Sequence, residues 1–255
     1  MRSDDDIKKI VKEKYGEIAQ GESSCCGPVK KSWCCGIEPQ TINLAHGYSK
    51  QELEKLPEGA ELGLGCGNPT SLVNIEPGWQ VLDLGSGAGV DVFLIAEKVG
   101  TEGKVVGLDM TDEMLAKARD NAKSGGYTNV EFVKGEIEKM PFADGAFDLV
   151  ISNCVINLVP DKSVAYRELL RVLKPGGRFA VSDMATRGKL PEEIRKDAEA
   201  WAGCVAGALD LDEYLRIVSE AGLVEVDPVT VREYDYAKTG DYAILSVGLT
   251  GRKPS

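Results

Sequence analysis

With 255 residues, 43% of them hydrophobic and 28% charged, the chain has the length and composition for one large globular core with small additions. A formal net charge of −11, from 41 acidic against 30 basic residues, argues against a phosphate-tracking surface, so neither nucleic acid nor an anionic membrane is an expected partner. No apolar run approaches the roughly 18 residues of a membrane span. The polar start Met1-Arg2-Ser3-Asp4-Asp5-Asp6 lacks the apolar stretch of an export signal, and a cytoplasmic address is expected.

In chain order, residues 3–20 read as a polar helix with a thin apolar stripe of Ile7, Ile10, Val11 and Ile18. A loop or arm follows, from Gly21 to Gly36, carrying Cys25-Cys26 and Cys34-Cys35. Ser49-Lys50-Gln51-Glu52 fits a capping box opening a short helix that stops near Pro57. Gly59 to Pro69 is a glycine-rich loop with Cys66. From residue 79 strands alternate with helices: strands at 81–84, 104–109, 130–133, 147–152 and 178–183, helices at 90–99, 112–123 and 161–173. Lys174-Pro175-Gly176-Gly177 reads as the stop after the last of these. Helices at 191–200 and 212–221 and strands near 224–233 and 241–250 close the chain. Such alternation implies a mostly parallel sheet covered on both faces. Three segments are expected: residues 1–70, helical and cysteine-rich; 71–190, the cofactor-binding core; and 191–255, closing helices and strands.

Asp83-Leu84-Gly85-Ser86-Gly87-Ala88-Gly89 lies between a strand and a helix, where a nucleotide turn belongs. Position 90 is Val, so the dinucleotide fingerprint fails and the glycines read G-x-G-x-G. Asp83 would repel a diphosphate but suits an ammonium group. Asp109 ends the second strand about 20 residues on, where an acid binds ribose hydroxyls. Glu136, after the third strand, can accept from an adenine amino group. Met110, Ile137 and Asn153 complete the expected pocket. Ammonium, ribose and adenine contacts in this order describe S-adenosylmethionine.

With Phe147-Asp148-Leu149-Val150 and Leu173-Lys174-Pro175-Gly176-Gly177, the stretch 76–185 resembles the class I adenosylmethionine-dependent methyltransferases. The resemblance implies an α/β fold: a Rossmann-like, seven-stranded, mostly parallel sheet with helices on both faces and an antiparallel final strand. The N-terminal helical and cysteine-bearing arm and a C-terminal α+β extension are added to it.

The methyl acceptor must be sought elsewhere. Seven cysteines and one histidine, His46, leave no room for a site of several imidazoles, and without an export signal the cysteines do not read as a disulfide framework. His46 reads as a turn residue. Where amino-methylating families place an aromatic clamp, this chain has Ser152-Asn153-Cys154-Val155. A soft nucleophilic acceptor would need no general base, only positioning. Cys154 stands at the carboxyl end of a central strand, the ligand-binding edge of such sheets. Cys66 and Cys204 lie among glycines and other small residues, which permit close approach of backbone to a partner. Three thiolates would cage a soft three-coordinate centre, and arsenic(III) is soft. Cys154 and Cys204 equally suit small core positions. The C-C-x7-C-C pairs could chelate zinc, although the spacing is not that of a zinc knuckle.

Gly63-Leu64-Gly65-Cys66-Gly67-Asn68-Pro69, Ser152-Asn153-Cys154-Val155-Ile156-Asn157-Leu158 and Ala202-Gly203-Cys204-Val205-Ala206-Gly207-Ala208 resemble the cysteine motifs of microbial arsenite methyltransferases. The likeness runs from about Tyr15 to residue 225. It implies that Cys66, Cys154 and Cys204 bind arsenic, and that Cys25 or Cys26 joins a disulfide relay reset by a thiol reductant of thioredoxin or glutathione type. Arsenite, or its thiol conjugate, is the implied substrate. Two other readings share the core pattern: a quinone- or sterol-type carbon methyltransferase, and a non-catalytic thiol sensor of arsenic or metal.

Overall fold

The computed structural model describes residues 3–21, 38–197, 200–201, 203–234 and 242–255. Short apolar runs become buried strands: β1 (Gln80–Leu84), β2 (Lys104–Asp109), β3 (Val130–Lys134), β4 (Phe147–Asn153) and β5 (Leu173–Arg187). Two more, β6 (Val224–Glu233) and β7 (Ala243–Arg252), give a seven-stranded sheet in the order β3-β2-β1-β4-β5-β7-β6. The first five pair in parallel, and β7 runs antiparallel between β5 and β6. The order reverses on either side of β1, which opens a crevice at the carboxyl ends of β1 and β4.

The helices are α1 (Asp4–Gln20), α2 (Pro39–Ala45), α3 (Lys50–Leu53), α4 (Val90–Val99), α5 (Asp112–Ser124), α6 (Lys162–Val172), α7 (Glu192–Lys196) and α8 (Leu211–Glu220). The Ser49–Glu52 capping box is formed, and Asp161 caps α6 by accepting from Ser163 and Val164. Helices α4 and α5 pack Phe93, Ile95 and Leu115 into one buried cluster with Val81, Leu149 and Ile151. Helices α6 and α8 pack Tyr166, Leu169 and Tyr214 into another with Leu82, Phe179 and Val181. Each face of the sheet is thereby sealed with apolar area, the dominant favourable contribution to folding.

Three local expectations change. Helix α2 was not expected. The expected helix 191–200 is interrupted: α7 ends at Lys196, Asp197 is extended, and Ala200 is again helical. Strand β5 is far longer than 178–183: it begins at Leu173, through an irregular pairing with β4 that absorbs Lys174-Pro175-Gly176-Gly177, and continues to Arg187 along the whole length of β7. Cys25, Cys26, Cys34 and Cys35 lie outside the described residues.

Candidate active site

Leaving β1, the chain turns through three glycines with positive φ: Gly85 at 67°, Gly87 at 51° and Gly89 at 100°. Two of them also lack room for a side chain. A Cβ on Gly85 would sit 2.5 Å from the Val155 methyls, and one on Gly89 would sit 2.6 Å from the Phe93 ring. The turn is tied to the end of β2, because Gly87 donates its N–H to Asp109 Oδ2 at 3.0 Å while Asp109 Oδ1 accepts from Thr111 at 2.8 Å. The buried Ser86 hydroxyl has no hydrogen-bond partner.

Three carboxylates gather here. Asp83 on β1 is 2% exposed and Asp91 on α4 is 6% exposed, with Asp109 beside them. Burial pushes Asp83 well above the usual carboxylate range, and the charges of Asp91 and Asp109 push the same way. Burial likewise raises Asp91 to about 6, against the hydrogen bonds it accepts from Tyr48 Oη at 2.7 Å and Asn153 Nδ2 at 3.2 Å. Concentrated negative charge in an enclosed place is unfavourable unless a cation joins it. The cleft beyond these acids is walled by Leu108, Met110, Met114 and Ile137. A cationic amino-acid tail joined to a flat nucleoside fits this combination, and the orphaned Ser86 hydroxyl is a further contact for it. Asn153, on the expected list, also lines the cleft. Glu136 lines it too, but its carboxylate is engaged by Lys8 at 2.8 Å. Tyr48, Asp91 and the inner face of α1, with Lys8, Val11 and Tyr15, were not foreseen as parts of this cleft.

At the same sheet edge the structure brings Cys66, Cys154 and Cys204 together, each almost fully buried at 5–6% exposure, in one apolar cluster with Val11, Leu158 and Met184. Cys66 rides a loop docked at both ends of its peptide unit. Its N–H donates to Asn153 Oδ1 at 3.1 Å and its carbonyl accepts from Ser246 Oγ at 2.7 Å. The flanking glycines have identifiable partners: a Cβ on Gly65 would fall 2.8 Å from the Asn153 amide, and one on Gly67 2.8 Å from Ser182. Cys154 follows β4 directly, extends its pairing through an N–H donated to Ser182 at 2.7 Å, then turns out of the sheet at φ 60°. Cys204 has φ 62°, donates its thiol to the Cys154 carbonyl at 3.0 Å, and has its own carbonyl held by Asn157 Nδ2 at 3.3 Å.

A carboxylate that the sequence reading missed completes the cluster. An oxygen of Asp183 and the sulfurs of Cys66 and Cys154 lie within 4.8 Å of one another. Asp183 is fully buried, and burial raises it to about 6 despite the nearby Lys162. Lys162, itself buried, is lowered to about 8 for the same reason. Burial pushes the Cys66 thiol up to about 11. Cys154 is eased by its hydrogen bond to Cys204, but the bond to Cys66 and burial outweigh this and hold it well above the ordinary thiol value. Cys204 is raised well above that value by its bond to Cys154 and by burial. Burial and the neighbouring carboxylate thus favour the thiol form of all three cysteines in the unliganded site. Cys154 and Asn153 line the cofactor cleft, so the two compartments share a wall.

A family described as a methyltransferase domain matches residues 75–222. An arsenite methyltransferase of Halobacterium salinarum is 40% identical, with all of this chain matching 68% of that one. An arsenite methyltransferase of Aquipseudomonas alcaligenes is 37% identical over 94% of this chain and 70% of its own. The crystal structure of an arsenic(III) S-adenosylmethionine methyltransferase from Chlamydomonas reinhardtii superposes with a TM-score of 0.69 at 33% identity, covering 86% of this chain and 75% of that one. Among the described residues no helix is long and apolar enough to cross a membrane.

Proposed function

We infer from membership of the arsenite methyltransferase family, to which this chain belongs, that it transfers methyl groups from S-adenosylmethionine to trivalent arsenic held by Cys66, Cys154 and Cys204. The observation that carries the reading is the convergence of three buried cysteines in one cluster, of which Cys154 lines the acidic cofactor cleft. Bound there, S-adenosylmethionine supplies an electrophilic methyl group. Asp83 and Asp91 would face its cationic end, Asp109 its ribose, and Met110 and Ile137 its adenine.

The thiols of the free site suit neutral arsenite. Each arsenic–sulfur bond forms as the thiol proton leaves on an arsenite hydroxyl, releasing one water and leaving the arsenic centre neutral. Three sulfurs leave arsenic pyramidal, with its lone pair free to attack carbon without a general base. Holding both reactants can supply roughly 7–11 kcal/mol of the barrier, the range for well-oriented intramolecular reactions. The methylated arsenic is formally pentavalent. Two thiols return it to the trivalent state by giving up two electrons and closing a disulfide. Cys25 or Cys26 is proposed to join that disulfide, and a dithiol reductant of thioredoxin or glutathione type to reopen it.

The test is to incubate protein, S-adenosylmethionine, arsenite and a dithiol, and to identify methylated arsenicals by mass spectrometry. The wild type should produce them, and Cys154→Ser should lose at least 100-fold in rate. Unchanged activity in Cys154→Ser would refute the three-sulfur site. Transfer to a carbon acceptor with all three cysteines replaced would point to a carbon methyltransferase. Tight arsenite binding with no adenosylhomocysteine formed would point to a sensor.

A further inference from the structure

We propose that Asp183 is a catalytic residue of the methyl transfer, its carboxylate being the fixed negative charge that meets the positive charge arriving on arsenic. The proposal rests on the arsenite-methylating reading above. Its first support is position: an Asp183 oxygen shares a 4.8 Å cluster with the sulfurs of Cys66 and Cys154, so a centre bound between those sulfurs also lies against the carboxylate.

Orientation is the second support. Asp183 Oδ2 accepts from the Asn157 N–H at 3.0 Å and from Tyr214 Oη at 3.0 Å, and Oδ1 accepts from the Met184 N–H at 2.9 Å. Three donors on a group of two oxygens hold an acceptor in one place, as an ionised carboxylate requires. Lys162 does not cancel this charge by direct pairing. Its ammonium donates to the carbonyls of Asn157 and Val159, each at 3.4 Å. A carboxylate buried in mid-sheet without an ion pair is costly. A serine or asparagine could meet part of the same hydrogen-bonding need, so the charge itself calls for an explanation.

Charge bookkeeping of the reaction supplies it. Arsenic bound by three sulfurs is neutral. In the transfer, the arsenic lone pair forms the arsenic–carbon bond as the carbon–sulfur bond of the methyl donor breaks, its electron pair staying on sulfur. One unit of positive charge leaves that sulfur and appears on arsenic, and no proton moves. A negative group at its destination favours the transition state over the ground state, which is the condition for a gain in rate. Because Asp183 is fixed before reaction, no reorganisation is needed.

The experiment compares wild type, Asp183→Asn and Asp183→Ser, the last leaving space for a water to meet Asn157 and Tyr214. Arsenic X-ray absorption counts sulfur neighbours, calorimetry gives the affinity for S-adenosylmethionine, and rapid quench gives the single-turnover rate from the preformed arsenic complex. The expected result is three sulfur neighbours, an affinity within about threefold of wild type, and methyl transfer slowed about 100-fold or more in a neutral variant, the range for losing one preorganised electrostatic group. A neutral variant that keeps three sulfurs and transfers methyl within threefold of wild type overturns the proposal. Loss of sulfur neighbours or of the fold in both variants also overturns it, by making Asp183 part of the scaffold. Failure of the wild type to make methylarsenicals would instead overturn the reading beneath it.

Discussion

Cys154 and Cys204 both occupy the left-handed backbone region, with φ of 60° and 62°. Among the described residues Glu225 is the one other non-glycine residue there. Such a conformation costs a residue with a Cβ on the order of 1 kcal/mol, and it persists where surrounding structure enforces it. At Cys204, glycine should therefore be about 1 kcal/mol more stable than alanine in thermal unfolding, the reverse of the usual order in regular structure. Both variants should lose one sulfur neighbour at arsenic. The acids of the cofactor cleft give a second residue-scale expectation. Burial pushes Asp91 up to about 6, so protonation there would remove the charge proposed to face the cofactor's cationic end. Affinity for S-adenosylmethionine should weaken as pH falls through 6, by up to about tenfold per unit. Calorimetric titrations at pH 7.5 and 5.5 check this, and equal affinities would remove Asp91 from cation binding.

Among the elements, the turn carrying Cys204 is held by close packing. A Cβ on Gly207 would overlap the Asn157 carbonyl, and the Trp201 ring lies 2.8 Å from the same point. Gly207→Ala should dislodge this turn without unfolding the sheet. Arsenite affinity should drop at least tenfold while circular dichroism and cofactor binding stay near wild type. The strands and helices of the core were legible because period-2 and period-3.6 patterns are bounded by glycines and caps. Helix α2 was not, since Pro39-Gln40-Thr41-Ile42-Asn43-Leu44-Ala45 offers too few apolar residues for a periodicity. Asp183 escaped notice for a related reason. Ser182-Asp183 reads as the polar end of an apolar strand, yet β7 pairs with β5 on to Arg187 and leaves the acid in mid-strand. That pairing spans about 60 residues of sequence, a distance no local pattern encodes.

For the whole molecule, the buried acids set an unusual pH dependence. Burial pushes Asp91 and Asp183 each up to about 6 in the folded chain, above their ordinary value of 3.8, and holds Asp83 well above it too. An acid whose folded pKa is raised binds its proton more tightly when folded. Its stabilisation is present at low pH and fades as pH rises through the folded value. The cofactor-free protein should thus gain roughly 1–2 kcal/mol between pH 7.5 and 5.5 from Asp91 and Asp183 together. Thermal unfolding checks this, and a midpoint that falls over this interval would contradict it. Cys66 and Cys204 were legible through the glycines beside them, and Cys154 through its place at the carboxyl end of a central strand. Their convergence was not visible, because it arises from three segments meeting over one sheet edge.

One side chain ties the two halves of that edge. Asn153 accepts from the Cys66 backbone while its amide donates to Tyr48, to the Gly67 carbonyl and to Asp91. A ligand drawing on Asp91 would pull on the same amide that steadies the Cys66 loop, and any coupling of the two sites through it must be reciprocal. Whatever factor adenosylhomocysteine applies to the dissociation constant of arsenite, arsenite must apply to that of adenosylhomocysteine. The four legs of this thermodynamic cycle can be measured by calorimetry, and Asn153→Ala should bring the factor toward one. A wild-type factor of one would mean that the bridge transmits nothing. A larger one would make the order in which the substrates arrive a property of a single amide.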